Sequence, residues 1–210
     1  MSAQTYNQAI VELVQAGLSA LAERKQSTKA IQTPAAESHF LCSFLVQALK
    51  ERRFSKLVAD DINTWIRNGR SMGAGAQLPA LMQRIDEQYL ALADSKQLGD
   101  KLQAMLDELD EQDWVVIIDC DVDTKLKLDS DGSASLVIDA SQFEQHIDQG
   151  EVVKAINIFV RADEQQLAAA AAKHGLLLSQ GNKKTSLVKH HKTYVLQPNN
   201  QQPALGLLVN

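Results

Sequence analysis

Trp114-Val-Val-Ile-Ile-Asp-Cys-Asp-Val-Asp123 is the most concentrated apolar run in the chain, and the hydrophobic period changes across it. Residues 115–118 are apolar throughout, the pattern of a strand buried on both faces. Upstream, apolar residues recur at helical spacing; downstream they alternate or run in short strand-like blocks. This seam predicts an α+β chain: an N-terminal helical bundle over residues 1–112, then a small mixed or antiparallel sheet with two helices over 113–210.

Working upstream, five amphipathic stripes carry the bundle. The first is Ile10, Leu13, Val14, Gly17, Leu18 and Leu21, in which Gly17 offers room for another element to approach closely. Thr33-Pro34 gives the second helix an N-cap and a proline in its first turn, and Lys50-Glu-Arg-Arg53 suits its C-terminal dipole. A third stripe contains Ile62, Trp65 and Ile66 and is expected to stop at Gly69. Ser71-Met-Gly-Ala-Gly-Ala76 then reads as a flexible linker. The fourth stripe contains Leu81, Met82, Ile85 and Tyr89; the fifth, capped over 94–97, contains Leu98, Leu102, Met105, Leu106 and Leu109, and the spacing also allows the two to be one long helix.

Working downstream, 124–128 alternate, Asp129-Ser-Asp-Gly132 reads as a turn, and 135–138 return to apolar residues, which predicts a hairpin. Ser141 and Glu144 fit a capping box for a short helix. Residues 152–160 read as a central strand. Asp163 caps an alanine-rich helix closed by Gly175. Residues 176–178 and 187–196 complete the sheet, the latter broken at 189–192. The tail 201–210 is expected to be loosely held unless 205–209 dock.

A chain of 210 residues, 45% hydrophobic and 22% charged, is ordinary for a soluble globular protein. No run approaches the roughly 18–20 apolar residues of a membrane span. The first residues have neither the basic nor the apolar region of a signal peptide. Cys42 and Cys120, 78 positions apart, form no disulfide framework and no zinc pattern, so buried thiols in a reducing, cytoplasmic setting are expected. Charge is uneven. Residues 1–80 hold nine basic and six acidic side chains, 81–150 five and seventeen, and 151–210 seven and three.

Three patterns bear on chemistry. Asp119, Asp121 and Asp123 fail as a calcium loop, because Thr124 stands where a glycine belongs and Ser130 where a glutamate belongs. Val-Val-Ile-Ile-Asp119-Cys-Asp121 is similar to the first motif of haloacid-dehalogenase-type phosphohydrolases. That resemblance implies Asp119 as nucleophile, Asp121 as acid/base and a bound magnesium. After residue 150, however, only Glu151, Asp163 and Glu164 remain to hold the metal. The second pattern is basic: Lys183, Lys184, Lys189, His190, His191 and Lys192, with Tyr194, suit phosphates and stacked bases. The same patch is also suited to the acidic 107–113 segment of a second copy. The third, His39, Cys42 and Ser43 on one helix face, lacks a further ligand or base, which favours a structural role. Residues 62–70 suggest a DNA-reading helix only faintly, since Asp60 and Asp61 precede it and no glycine turn does. No phosphate-binding loop, metal-ligand set or other cofactor pattern is present, and no catalytic residues are assigned.

Thr33-Pro-Ala-Ala-Glu-Ser-His-Phe-Leu-Cys-Ser-Phe44, Lys50-Glu-Arg-Arg-Phe-Ser-Lys-Leu57 and Trp65-Ile-Arg-Asn-Gly-Arg-Ser-Met-Gly-Ala-Gly-Ala76 resemble a gamma-proteobacterial family known only as a domain of unknown function. The resemblance implies a full-length bacterial protein and carries over no site residues. The expected function is non-enzymatic: binding or regulation through a protein partner or a homo-oligomer, with no membrane and no cofactor. Nucleic-acid binding through the basic patch is the alternative, followed by magnesium-dependent phosphohydrolysis.

Overall fold

Tyr6–Ser27 forms α1 and buries Ile10, Leu13, Val14, Gly17 and Leu21 of the stripe expected from spacing, with Leu18 half-buried. These positions belong to a computed structural model, which describes residues 4–27, 33–92, 95–128, 131–182 and 186–210. The chain separates into two compact units, residues 1–90 and 91–210.

In the first unit, α2 (Pro34–Lys50) begins where Thr33 Oγ1 accepts the Ala36 N–H at 3.2 Å. A short 3-10 turn, Lys56–Val58, leads into α3 (Ala59–Met72). This helix runs three residues beyond Gly69, because Gly69 faces α2 inside the packing and does not end the helix. A Cβ there would lie 3.2 Å from Cys42 Sγ. The stretch expected to be a flexible linker is instead the last residues of α3 and a second 3-10 turn, Gly73–Ala76, entered at Gly73 with φ 56°. Then α4 (Leu78–Leu92) follows. Gly17 does admit a close neighbour: a Cβ on it would sit 2.9 Å from Met82 Sδ.

In the second unit, α5 (Leu98–Glu111) buries Leu98, Leu102, Met105, Leu106 and Leu109 in one core with Leu136, Ile158 and Leu196 of the sheet. The compact units therefore divide before α5, whereas the period change in the sequence falls after it. The start of α5 is capped from elsewhere in the chain. The Glu151 carboxylate accepts from Gln97 N at 2.7 Å and Leu98 N at 3.4 Å, and Gly150 O accepts from Gly99 N at 2.8 Å. Asp94, expected to begin that cap, lies outside the described residues.

The sheet contains β1 (Val115–Ile117), β2 (Ser135–Ile138), β5 (Ile156–Arg161), β6 (Leu178–Gln180) and β7 (Lys192–Leu196) in the order β1-β2-β5-β7-β6. A two-residue pair, β3 (Ile147–Asp148) with β4 (Glu151–Val152), stands apart from it. β1 and β2 are parallel and the other neighbours antiparallel, so the sheet is mixed and the fold α+β. Two local expectations fail. Residues 124–128 do not form a hairpin with β2; they cross the sheet, and Leu126 makes an isolated parallel bridge with Val188. β1 is an edge strand with half-buried residues, since only β2 pairs with it.

α6 (Ala140–Gln145) is capped by Asp139, two residues before the serine that was expected to do it, and α7 (Glu164–Lys173) by Asp163 as expected. Gly175, at φ 75°, closes α7. The tail docks: Gly206 bridges Ser179, Leu207 N donates to Leu178 O at 2.7 Å, and Gln202 Oε1 accepts from Ser179 Oγ. Among the described residues no helix is long and apolar enough to cross a membrane.

Candidate functional site

The acidic strand end is tied down by a carboxylate the motif did not include. Asp139 accepts from Val122 N at 2.7 Å, from Gln142 N at 2.9 Å and from the Ser141 hydroxyl. Burial alone would raise its pKa, but these hydrogen bonds outweigh it and hold the carboxyl below the usual range. Val122 turns inward with Val137, Phe159 and Val188, while Asp119, Asp121 and Asp123 stand exposed. Burial, with the charges of Asp119, Asp121 and Asp139, raises the Cys120 thiol pKa and keeps it protonated. Among the described residues no group of three or more His, Cys, Asp and Glu is placed to hold a metal ion. Asp119 and Asp121 thus follow an edge strand.

The six basic candidates do not share one environment. Lys183 and Lys184 lie outside the described residues. Lys189 and His190 are exposed on a turn, His190 at φ 65°. His191 is buried at 6% exposure. Its Nε2 meets Ser135 Oγ at 2.9 Å and its Nδ1 meets Lys189 O at 2.9 Å. A carbonyl can only accept, so Nδ1 carries the proton and Nε2 accepts from the serine hydroxyl. Lys192 pairs with Glu164 at 3.0 Å, which also accepts from Tyr194 Oη at 2.9 Å. Tyr194 is buried in the core, so it offers no ring face to a base. The turn gains instead two lysines the sequence reading left out: the bridge between Leu126 and Val188 brings Lys125 and Lys127 alongside it.

Two clefts lie along the seam of α2 and α3. The first, about 580 Å³, is lined by His39, Cys42, Ser43, Val46, Gly69, Arg70 and Gly73. It brings the predicted trio together, yet Ser43 Oγ donates to His39 O at 3.0 Å and the Cys42 thiol points to Ile66 O at 3.7 Å. Both groups are thereby used on backbone carbonyls. The second cleft, about 460 Å³, is lined by Ala48, Leu49, Arg52, Phe54, Ser55, Lys56, Ala59 and Ile62. On α2 the lining residues His39, Cys42, Ser43, Val46 and Leu49 recur every three or four positions, one continuous stripe. The linings combine apolar Val46, Leu49, Phe54 and Ile62 with cationic Arg52, Lys56 and Arg70. Among the described residues Arg52, Lys56 and Arg70 make no ion pair. Leu49, at 36% exposure, and neighbouring Leu57, at 49%, remain open to solvent.

The family described as "Protein of unknown function (DUF2913)" matches residues 5–209, so the chain belongs to that family over nearly its whole length. No curated protein and no solved structure matches it.

Proposed function

We propose that this member of a family without an assigned activity is a non-enzymatic binding protein that acts through contacts with another protein. The seam of α2 and α3 carries this reading. Val46, half-buried, and Leu49, three residues on, with exposed Leu57 beside them, leave apolar surface open next to the two helices, the kind of receptor that takes one face of an amphipathic segment. Arg52, Lys56 and Arg70 specify the occupant further. An apolar segment flanked by Asp or Glu would neutralise them, whereas a basic segment would be repelled.

A second copy offers a poor occupant through its most acidic element. The apolar face of α5 is already buried against the sheet, leaving Asp107, Asp110 and Glu111 outward with no anchor for the cleft. The occupant we propose is a different protein, with a second copy as the alternative that the solution mass tests. The two free cysteines and the absence of a membrane-crossing helix among the described residues suit a cytoplasmic setting.

Selection of displayed peptides on the intact protein tests this. Enriched peptides should carry two or more large apolar residues three or four apart, with neighbouring carboxylates. Their affinity should fall about tenfold or more, roughly 1.4 kcal/mol, on the Arg52→Glu, Lys56→Glu protein. Enrichment of nothing, or of peptides indifferent to that double change, would sink the reading. A solution mass of twice 23.1 kDa that reverts with Leu49→Asp would make the occupant a second copy.

A further inference from the structure

The covering of the second sheet face sets Lys125 and Lys127 of one segment beside Lys189 of another, beyond the exposed Asp121 and Asp123, in a unit whose overall balance is acidic. Residues 91–210 contain eleven basic and eighteen acidic side chains. On one face of the sheet lies the main core; on the other, Val137 and Phe159 are covered by Val122 and Val188, with Leu126 and Leu128 packed against them. Two extended segments supply that cover, and they are joined by hydrogen bonds from Leu126 N to Leu187 O and from Lys189 N to Leu126 O, both 2.8 Å.

Alternation then dictates what faces solvent. With Leu126 and Leu128 directed to the sheet, Lys125 and Lys127 are directed away from it, and both are exposed. With Val188 buried, Leu187 and Lys189 are exposed. In the parallel bridge Leu126 stands opposite Val188, so the next outward positions are Lys127 and Lys189, with Lys125 beside Leu187. His190 follows on the turn. Like charges at neighbouring positions of paired strands destabilise the pair. Among the described residues no carboxylate forms an ion pair with Lys125, Lys127 or Lys189. By contrast, Lys192, one turn away, is paired with Glu164. Among the described residues an ion pair with a neighbouring acid accounts for Lys192 and for none of these three.

We propose that Lys125, Lys127 and Lys189, with His190, form a binding strip for the phosphate backbone of a nucleic acid. Lysines one strand repeat apart, about 6.6 Å along the segment, present separate point charges to successive phosphates. Lys125, Lys127, Lys189 and His190 offer point charges and no bidentate side chain to read a base edge, so binding is independent of sequence. This site is separate from the helical seam and stands or falls without it.

The test uses the full chain and three fluorescein-labelled probes: a 20-nucleotide single-stranded RNA, the same sequence as single-stranded DNA, and a 20-base-pair duplex. For single strands, three phosphate contacts imply that affinity falls about twentyfold between 50 and 200 mM salt. Lys127→Gln with Lys189→Gln should weaken binding about tenfold at 50 mM salt and lower the salt slope by about 1.4. Lys125→Gln alone should lower the slope by about half as much. Arg52→Gln with Lys56→Gln, in the helical unit, should change neither. The three probes decide whether the phosphates come from a single strand or a duplex. The proposal is overturned if no probe binds at 50 mM salt. It is equally overturned if the double lysine variant binds with unchanged affinity and slope, or if only anionic phosphatidylserine vesicles are bound. All three lysines are exposed, so the variants are expected to keep the parent's circular dichroism.

Discussion

His191 Nε2 lies 2.9 Å from Ser135 Oγ, both residues buried, and no carboxylate takes part in the pair. The pair pins the 186–191 segment to β2. Burial lowers the His191 pKa, helped by the charges of Arg161 and His190 and opposed by the hydrogen bond to the Lys189 carbonyl. The unfolded chain, with an ordinary histidine near pH 6.5, takes up its proton first. Stability from this group is therefore present above about pH 6.5 and is lost as pH falls from there toward the depressed folded value. Urea unfolding at pH 7.5 and 5.5 should show this loss. His191→Asn should lower stability at pH 7.5 by about 1–3 kcal/mol, because Ser135 loses its buried partner. The same variant should flatten the dependence between those two pH values. An unchanged slope would assign the pH effect elsewhere.

Gly99 lies in the first turn of α5, where alanine normally favours a helix. A Cβ there would meet Ile147 Cγ2 at 2.5 Å and Gly150 O at 2.9 Å, and the backbone oxygen cannot move aside. Gly99→Ala should cost about 1–3 kcal/mol. Gly17→Ala meets only the flexible end of Met82, so its denaturation midpoint should shift much less. Equal midpoint shifts would contradict this ranking.

Glu151 substitutes for a local cap on α5. Glu151→Ala should remove about 1 kcal/mol by exposing the amides of Gln97 and Leu98. Amide hydrogen exchange should quicken at the start of α5 and remain unchanged at its end.

Asp139 and Asp119 should respond oppositely to substitution. Asp139→Ala removes the hydrogen bond from Val122 N that ties the 120–123 loop to the start of α6 and the two from Ser141 and Gln142 that cap the helix, a loss of about 1–3 kcal/mol. Asp119→Asn and Asp121→Asn, both at exposed positions, should leave the melting temperature within about 1 °C, since surface changes of this kind rarely exceed ±0.5 kcal/mol. Millimolar magnesium should leave the melting temperature of the wild type unchanged. A rise of several degrees that vanishes in Asp119→Asn would restore the phosphohydrolase reading.

Local physics made much of this chain legible before any fold was known. The period of 3.6 in Ile10, Leu13, Val14 and Leu21, the Thr33-Pro34 cap, and Asp163 with Gly175 around α7 all depend on neighbours within one or two turns. Such interactions are written in consecutive residues. So is the change of period at Trp114, from which the α+β class follows.

Tertiary structure decided whatever rests on partners distant in the chain. A run of apolar residues specifies a strand but not its neighbours, so Val115–Ile117 became an edge and 124–128 joined Val188, not β2. The cap on α5 arrives from Glu151 because hydrogen bonding requires proximity in space and is indifferent to sequence separation. The basic strip illustrates the same point. Lys183 to Lys192 look like one patch when read in order, yet burial withdraws His191 and Tyr194, and Glu164 neutralises Lys192. Lys125 and Lys127 join Lys189 from more than sixty residues away, because the apolar residues between them must cover Phe159. Charge patterning along a chain gives the number of cations; only the packing of Leu126 and Val188 decides which of them stand side by side.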